Sequence, residues 1–404
     1  MVRGCAHLPG GAAEPGALSC VAVKHSTERI LTTHVGSLPR PHDLLDQMKA
    51  QLSAQPVDAE LLAARVRRAV TESVQQQAQH GLDILSDGEQ GKLGFFRYIS
   101  DRLSGFEARP RGPQFEAETQ AFPEYYAQYF SQAMLGGALA PPAQLVCTGP
   151  VTYRGQAALQ RDIDNLRAAL ADTPVEEAFM PAVAPSGVGR NEFYPSQEAY
   201  LFAVGDALRA EYQAIIDAGF VLQVDDPWLS EIFSAGRPAS EVAAEAELYV
   251  AATNRALAGL PAERIRFHTC YGINHGPRVH DAALGDLVDV LLRVNAGAYS
   301  FEAANPRHEH EYHVWERVRL PEDKVLIPGV ITHGHNFVEH PELIAERITN
   351  FARLVGRERV IAGADCGFSS QATYRPEVDV RVMWAKFDAL AEGARLASER
   401  LWAP

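Results

Sequence analysis

A histidine and a cysteine stand two residues apart in Arg264-Ile-Arg-Phe-His-Thr-Cys-Tyr271. The residues before them read as a short buried strand, and alternation along a strand turns His268 and Cys270 to one face. An imidazole and a thiol at a strand end make half of a tetrahedral zinc site. Two further ligand types close later strands: Glu302 ends Ala298-Tyr-Ser-Phe-Glu302, and Cys366 ends Val360-Ile-Ala-Gly-Ala-Asp-Cys366. Taken singly, each has an ordinary structural reading. A buried cysteine is usually a small hydrophobe, and Glu302 could pair with Arg307 or His308. As a set of four at strand ends, they predict one Zn2+ held by His268, Cys270, Glu302 and Cys366.

The elements that must position them alternate along the chain. Strands are expected at 30–35, 83–88, 144–149, 220–226, 265–270, 298–302, 325–330 and 360–366. Amphipathic helices fall near 58–80, 154–171, 196–218, 236–258, 281–294, 340–355 and 376–399. Eight strands with helices between them predict an α/β fold of the (β/α)8 TIM-barrel type, a single domain over residues 28–404. A doubly wound open sheet is the competing topology, but no Gly-x-Gly-x-x-Gly follows the first strand. Residues 104–143 and 172–195 exceed ordinary connections and read as long loop excursions. In a TIM barrel the reactive residues gather where strands end. Ser37, Glu89, Thr148 to Thr152, Asp225, Asp226, His268, Cys270, Glu302 and Cys366 would all lie on that rim.

Composition narrows the partners. The 404 residues carry a net charge of −14, and 47% are hydrophobic. An acidic surface repels nucleic acid and anionic membranes, and no run approaches the roughly 18 apolar residues of a membrane span. Five cysteines scattered along the chain are no disulfide framework. They suit a reducing cytoplasm, and a cytoplasmic location is expected. Residues 1–27, rich in Gly, Ala and Pro, read as a disordered tail and not as a signal peptide. No nucleic-acid or membrane partner is expected, and a homo-oligomer is left open.

At the rim motifs the sequence resembles the catalytic C-terminal barrel of cobalamin-independent methionine synthase. Thr32-Thr-His-Val-Gly-Ser37-Leu-Pro, Gly88-Glu89, Thr148-Gly-Pro-Val-Thr152 and Gln223-Val-Asp225-Asp-Pro227 carry the resemblance, together with the four ligand types. It implies that Ser37 helps hold an amino acid carboxylate, that Glu89 and Asp225 hold its amino group, and that zinc activates a substrate thiol. Tyr153 and Trp228, with Phe95 and Phe96, are candidate walls of the donor pocket. Lys92, Arg40 and Arg190 are candidate clamps for an anionic group. The family's proton-donor histidine follows a Pro-Gly-Val segment, and Pro328-Gly-Val-Ile-Thr-His-Gly-His335 offers His333 and His335, of which His333 is nearer the strand.

The sequence departs from the family in two places. No counterpart of the full-length synthase's N-terminal barrel accompanies these residues, and Tyr153-Arg-Gly-Gln replaces a tryptophan-bearing stretch. The pattern is closer to the short, single-barrel branch that includes epoxyalkane:coenzyme M transferase. The activity implied is zinc-dependent S-methylation or S-alkylation of a homocysteine-like thiol, of the 5-methyltetrahydropteroyltriglutamate-homocysteine methyltransferase kind. Alternatives are alkylation of another thiol, a metal-free decarboxylase like uroporphyrinogen decarboxylase, and a binding protein with structural zinc.

Overall fold

A computed structural model describes residues 22–110, 116–130, 138–139, 143–233, 237–272 and 275–403. Its strands, in chain order, are β1 (Leu31–Thr32), β2 (Ile84–Leu85), β3 (Leu103–Pro110), β4 (Ala143–Tyr153), β5 (Glu177–Val183), β6 (Arg190–Asn191), β7 (Val221–Asp225), β8 (Ile265–His268), β9 (Ala298–Phe301), β10 (Val325–Ile331) and β11 (Ile361–Ala364). Eight form one parallel sheet in the order β1-β11-β10-β9-β8-β7-β5-β2. That sheet is a nearly closed (β/α)8 barrel, as expected. The seven expected helices are present, from Ala59–Gln79 to Val380–Leu401, and a further helix, His42–Leu52, precedes them.

The inner residues at the start of the strands (Leu31, Ile84, Phe179, Val221, Ala298, Val325, Ile327 and Ile361) pack into one cluster along the barrel axis. Above them lies Arg266, whose guanidinium rests 4.0 Å from the Phe179 ring centroid and donates to Thr33 Oγ1 and His34 O. A charge in the lumen is tolerable because both of its terminal nitrogens meet oxygens and its plane meets a π-face.

The third barrel strand is a correction. The segment 144–149 belongs to β4, which runs antiparallel to β3 and parallel to β6 in a separate three-stranded sheet. Its place in the barrel is taken by β5, inside the stretch expected to be a loop. All seven β5 residues are buried. Pro181 discourages a strand reading, since proline cannot donate to a ladder. It is accommodated because β2 pairs only with Glu177 and Ala178, leaving Pro181 with a ladder partner on the β7 side alone. The other excursion holds β3 and two short helices, Glu116–Ala121 and Pro123–Tyr129.

The expected tail ends sooner than residue 27. Residues 1–21 lie outside the described residues, but Val23 is buried in the axial cluster and its N–H donates to Glu263 O. Lys24 N donates to Glu177 Oε2 at 2.7 Å, and Ser26 Oγ to Val360 O at 2.6 Å.

Candidate active site

Strand β8 ends on His268, and β11 ends two residues before Cys366. Their closure into one barrel brings a ligand atom of His268, of Cys270 and of Cys366 within 4.8 Å of one another. The two sulfurs are 3.2 Å apart, and both cysteines are free thiols. His268 Nδ1 faces Ser300 Oγ at 3.0 Å, while Nε2 is buried with no hydrogen-bond partner among the described residues. Burial pushes the imidazole down to about 3, so the ring is neutral and can offer a lone pair. The neighbouring Cys366 and burial push the Cys270 thiol well above its ordinary value. Two thiols and an unpartnered imidazole nitrogen fit a zinc ion, which would remove the thiol protons.

Glu302 does not join that trio within the same distance. It gathers instead with His333 and Asp365, again within 4.8 Å. Its Oε1 accepts the Tyr271 N–H at 2.9 Å, and Arg278 grips both oxygens at 3.2 and 3.3 Å. Asp365 Oδ1 accepts the N–H groups of Ala303 and Ala304, each at 2.8 Å, so it fixes the turn that follows Glu302. His333 Nε2 lies 3.2 Å from Gly272 O. A carbonyl only accepts, so Nε2 carries the proton and Nδ1, buried with no partner among the described residues, is a bare lone pair. Burial and Arg278 hold this ring down at about 3.

A carboxylate pair lies at the ends of β2 and β7. Glu89 occupies the left-handed region, φ 54°, directly after Gly88, also left-handed at 64°. Glu89 Oε1 accepts from Lys92 Nζ at 3.2 Å, and its Oε2 is buried and unpartnered. Asp225 accepts from Gln223 Nε2 at 2.7 Å, and burial and the charge of Glu89 hold it well above the usual carboxylate range. Two buried carboxyl groups with oxygen to spare suit an ammonium group. Ser37 is buried and accepts the Phe368 N–H at its carbonyl, 2.9 Å away. Its hydroxyl fills the space a side chain at Gly367 would need, which places Ser37 against the residue after Cys366.

These residues fall inside the match to a family model described as the catalytic domain of cobalamin-independent synthase, which covers residues 30–122 and 142–386. This chain belongs to that family. A methionine synthase of Thermococcus kodakarensis is 23% identical over 376 residues, covering 92% of this chain and 94% of that protein. A 5-methyltetrahydropteroyltriglutamate--homocysteine methyltransferase of Mycobacterium tuberculosis is 24% identical over 356 residues, and there the match spans only 40% of the relative's length. Among solved structures, a B12-independent methionine synthase from Shewanella sp. W3-18-1 in complex with selenomethionine is similar in fold. Its TM-score is 0.72 at 20% identity, with 93% of this chain and 100% of that chain covered.

Other residues singled out in the sequence of this cobalamin-independent synthase domain have the following partners. The Tyr153 hydroxyl donates to Glu211 at 2.8 Å, in a buried network with Arg102 and Tyr98. His335 is half-buried, its ring 5.0 Å from the ring of the exposed Phe337. Trp228 rests on Gly187, where any side chain would strike its ring, and meets Phe95 and Phe96 at 5.7 and 6.1 Å. Those centroid distances are direct contact, a packed aromatic corner. Arg40 donates to the carbonyls of Glu89, Lys92 and Ser369, and Arg190 is an exposed partner of Glu192. Asp226 caps the helix Pro227–Glu231 and accepts from Ser186.

Sequence reasoning missed Arg278 and Asp365. Asp365 adjoins Cys366, and that adjacency was the available signal. Arg278 stands in an irregular loop with no pattern to mark it. His308, in the segment after Glu302, is buried between Asp281 and Glu311, which raise it to about 9 against the opposing effect of burial.

Proposed function

We propose that this protein transfers a methyl or other alkyl group to the sulfur of a small amino-acid thiol of the homocysteine type, with zinc held at His268, Cys270 and Cys366. The observation that carries this reading is the pairing of two unsatisfied sites on one rim: three buried metal-ligand atoms, and the spare carboxylate oxygen of Glu89 beside Asp225. The names of the relatives point the same way. When bound, zinc supplies the positive charge that lets a thiol ionise near neutral pH.

The chain's own residues do the rest. Glu89 and Asp225 orient the ammonium group, and Ser37 stands where the carboxylate would lie, so the sulfur is directed toward the cysteines. Walls that are buried keep water from competing with the thiol. His333 Nδ1 takes the thiol proton as the substrate enters. The sulfur attacks the donor carbon, the bond from carbon to the leaving atom breaks, and the electron pair departs with that atom. Where it is nitrogen or oxygen, His333 returns the proton to it. A methylsulfonium donor needs no such proton.

Zinc-edge X-ray absorption on the zinc-loaded protein, with a panel of thiols, tests this reading. Homocysteine should add a sulfur to the shell. A response only to thiols lacking an amino group would move the reading to the epoxyalkane:coenzyme M branch. If no thiol adds a sulfur, the proposal fails.

A further inference from the structure

Three ionisable groups beside the rim have no part in the chemistry derived above: Tyr129, His275 and Glu377. They come from distant elements. Tyr129 ends the helix Pro123–Tyr129 of the first excursion, His275 stands in the loop after Cys270, and Glu377 precedes the last helix, Val380–Leu401. Glu377 Oε1 accepts the Tyr129 hydroxyl at 3.0 Å, and its Oε2 faces His275 Nδ1 at 3.1 Å. The loop is pinned too: the His275 N–H donates to the Tyr129 hydroxyl at 3.3 Å, and its carbonyl accepts the Tyr125 hydroxyl at 2.9 Å. The His275 ring centroid lies 6.3 Å from that of His333, and its Nε2 is buried with no hydrogen-bond partner among the described residues. A cavity of about 30 Å³ is lined by both His333 and Glu377, with the hydroxyls of Ser369, Ser370 and Thr373 around it. That is room for about two waters, on polar walls that would hold them. His333 is 2% exposed, whereas the Glu377 and His275 side chains are each 17% exposed. The carboxylate therefore meets the cavity on one side and solvent on the other.

We propose that Glu377, held by Tyr129 and His275, is the proton outlet of the site: it receives through the cavity the proton that His333 takes from the thiol, and delivers it to solvent. The inference rests on the functional reading above. The balance of the reaction calls for such a route. When the leaving atom is nitrogen or oxygen, the thiol proton ends on that atom and none leaves. When the donor is a methylsulfonium, a bond from thiol sulfur to carbon forms, the sulfonium carbon–sulfur bond breaks, and a neutral thioether departs with the electron pair. One proton is then left over for each methyl group moved, and a fully buried imidazole has no direct contact with water to discharge it. Burial raises the Glu377 carboxyl above its ordinary value. That brings it nearer to neutral pH, where a carrier can both take a proton and give it up.

The test needs no methyl donor. The zinc-loaded full chain is mixed rapidly with homocysteine in weakly buffered indicator dye, which reads the proton as it reaches solvent, and calorimetry reads the affinity. Glu377→Gln, which keeps the shape of the side chain, should slow proton release about tenfold or more while homocysteine affinity stays within about threefold. Glu377→Ala should show the same lag, and added formate, small enough to enter the vacated space, should shorten it. A merely structural defect would not answer to formate. Should the glutamine variant fail to fold, Glu377→Asp, which keeps the charge but draws the carboxylate back by one carbon, should show the lag in its place. Release from the variants at the wild-type rate, or a lag that formate leaves untouched, overturns this inference alone. A wild-type chain that releases no proton to homocysteine overturns the functional reading with it.

Discussion

Cys270 and Cys366 are 96 positions apart in sequence and 3.2 Å apart at their sulfurs. Cys270→Ser or Cys366→Ser should abolish stoichiometric zinc, read by metal analysis, while circular dichroism still reports a folded barrel. Zinc retained in the double variant would remove the site. His333 and His335 separate in the structure, and their variants should too. His333→Ala should lower turnover about 10²–10⁴-fold, the range for loss of a proton-transfer group. His335→Ala should change it by less than about threefold, because its ring faces Phe337 at the surface. An equal His333→Ala loss with amine-type and methylsulfonium donors would exclude proton transfer to the leaving atom. The trio His268, Cys270 and Cys366 was legible because a strand end fixes where a side chain points. Arg278 was not, because it meets Glu302 only through an irregular loop whose path no periodicity records.

Elements were legible where their periodicity was clean. Six of the eight barrel strands lie within their expected segments, β10 runs one residue past its own, and the third was displaced by a neighbour. Gln144-Leu-Val-Cys-Thr-Gly149 centres on a short apolar run, so it reads as a strand, and it is one; such a run says nothing of which sheet a strand joins. Glu177–Val183 was hidden by Pro181 and by the two acids at its start. The N-terminal segment makes a separate point. Removing residues 1–21 should leave the urea midpoint unchanged. Removing 1–27 should cost about 4–6 kcal/mol, from one buried valine and the hydrogen bonds of Val23, Lys24 and Ser26 at about 1 kcal/mol each. Equal midpoints for the two truncations would mean that Val23 does not plug the barrel.

For the whole molecule, the floor of the barrel makes stability depend on pH. Glu177 is buried beneath the lumen, and burial raises its carboxyl from 4.5 to about 7. Between those values the folded chain keeps a proton that the unfolded chain has released. Stability therefore falls as pH rises through that window and levels off above about 7. At about 1.4 kcal/mol per unit the effect is about 3 kcal/mol. Glu177→Gln should flatten the difference between urea unfolding at pH 5 and pH 8 by that amount, and an unchanged difference would place the slope elsewhere. The barrel wall also has a seam. Strands β1 and β2 stand at opposite ends of the sheet order. Backbone bonds from Asp83 to Thr32 and from Leu38 to Gly88 cross between them, aided by the Thr32 and Thr33 hydroxyls. A hoop with one stitched join opens there first. Ser37 and Glu89 stand just above that join, on its two sides, so a ligand that bridges them would act as a clasp. Its presence should be visible far from any chemistry, as a larger slowing of hydrogen–deuterium exchange along the seam than along the continuous wall opposite.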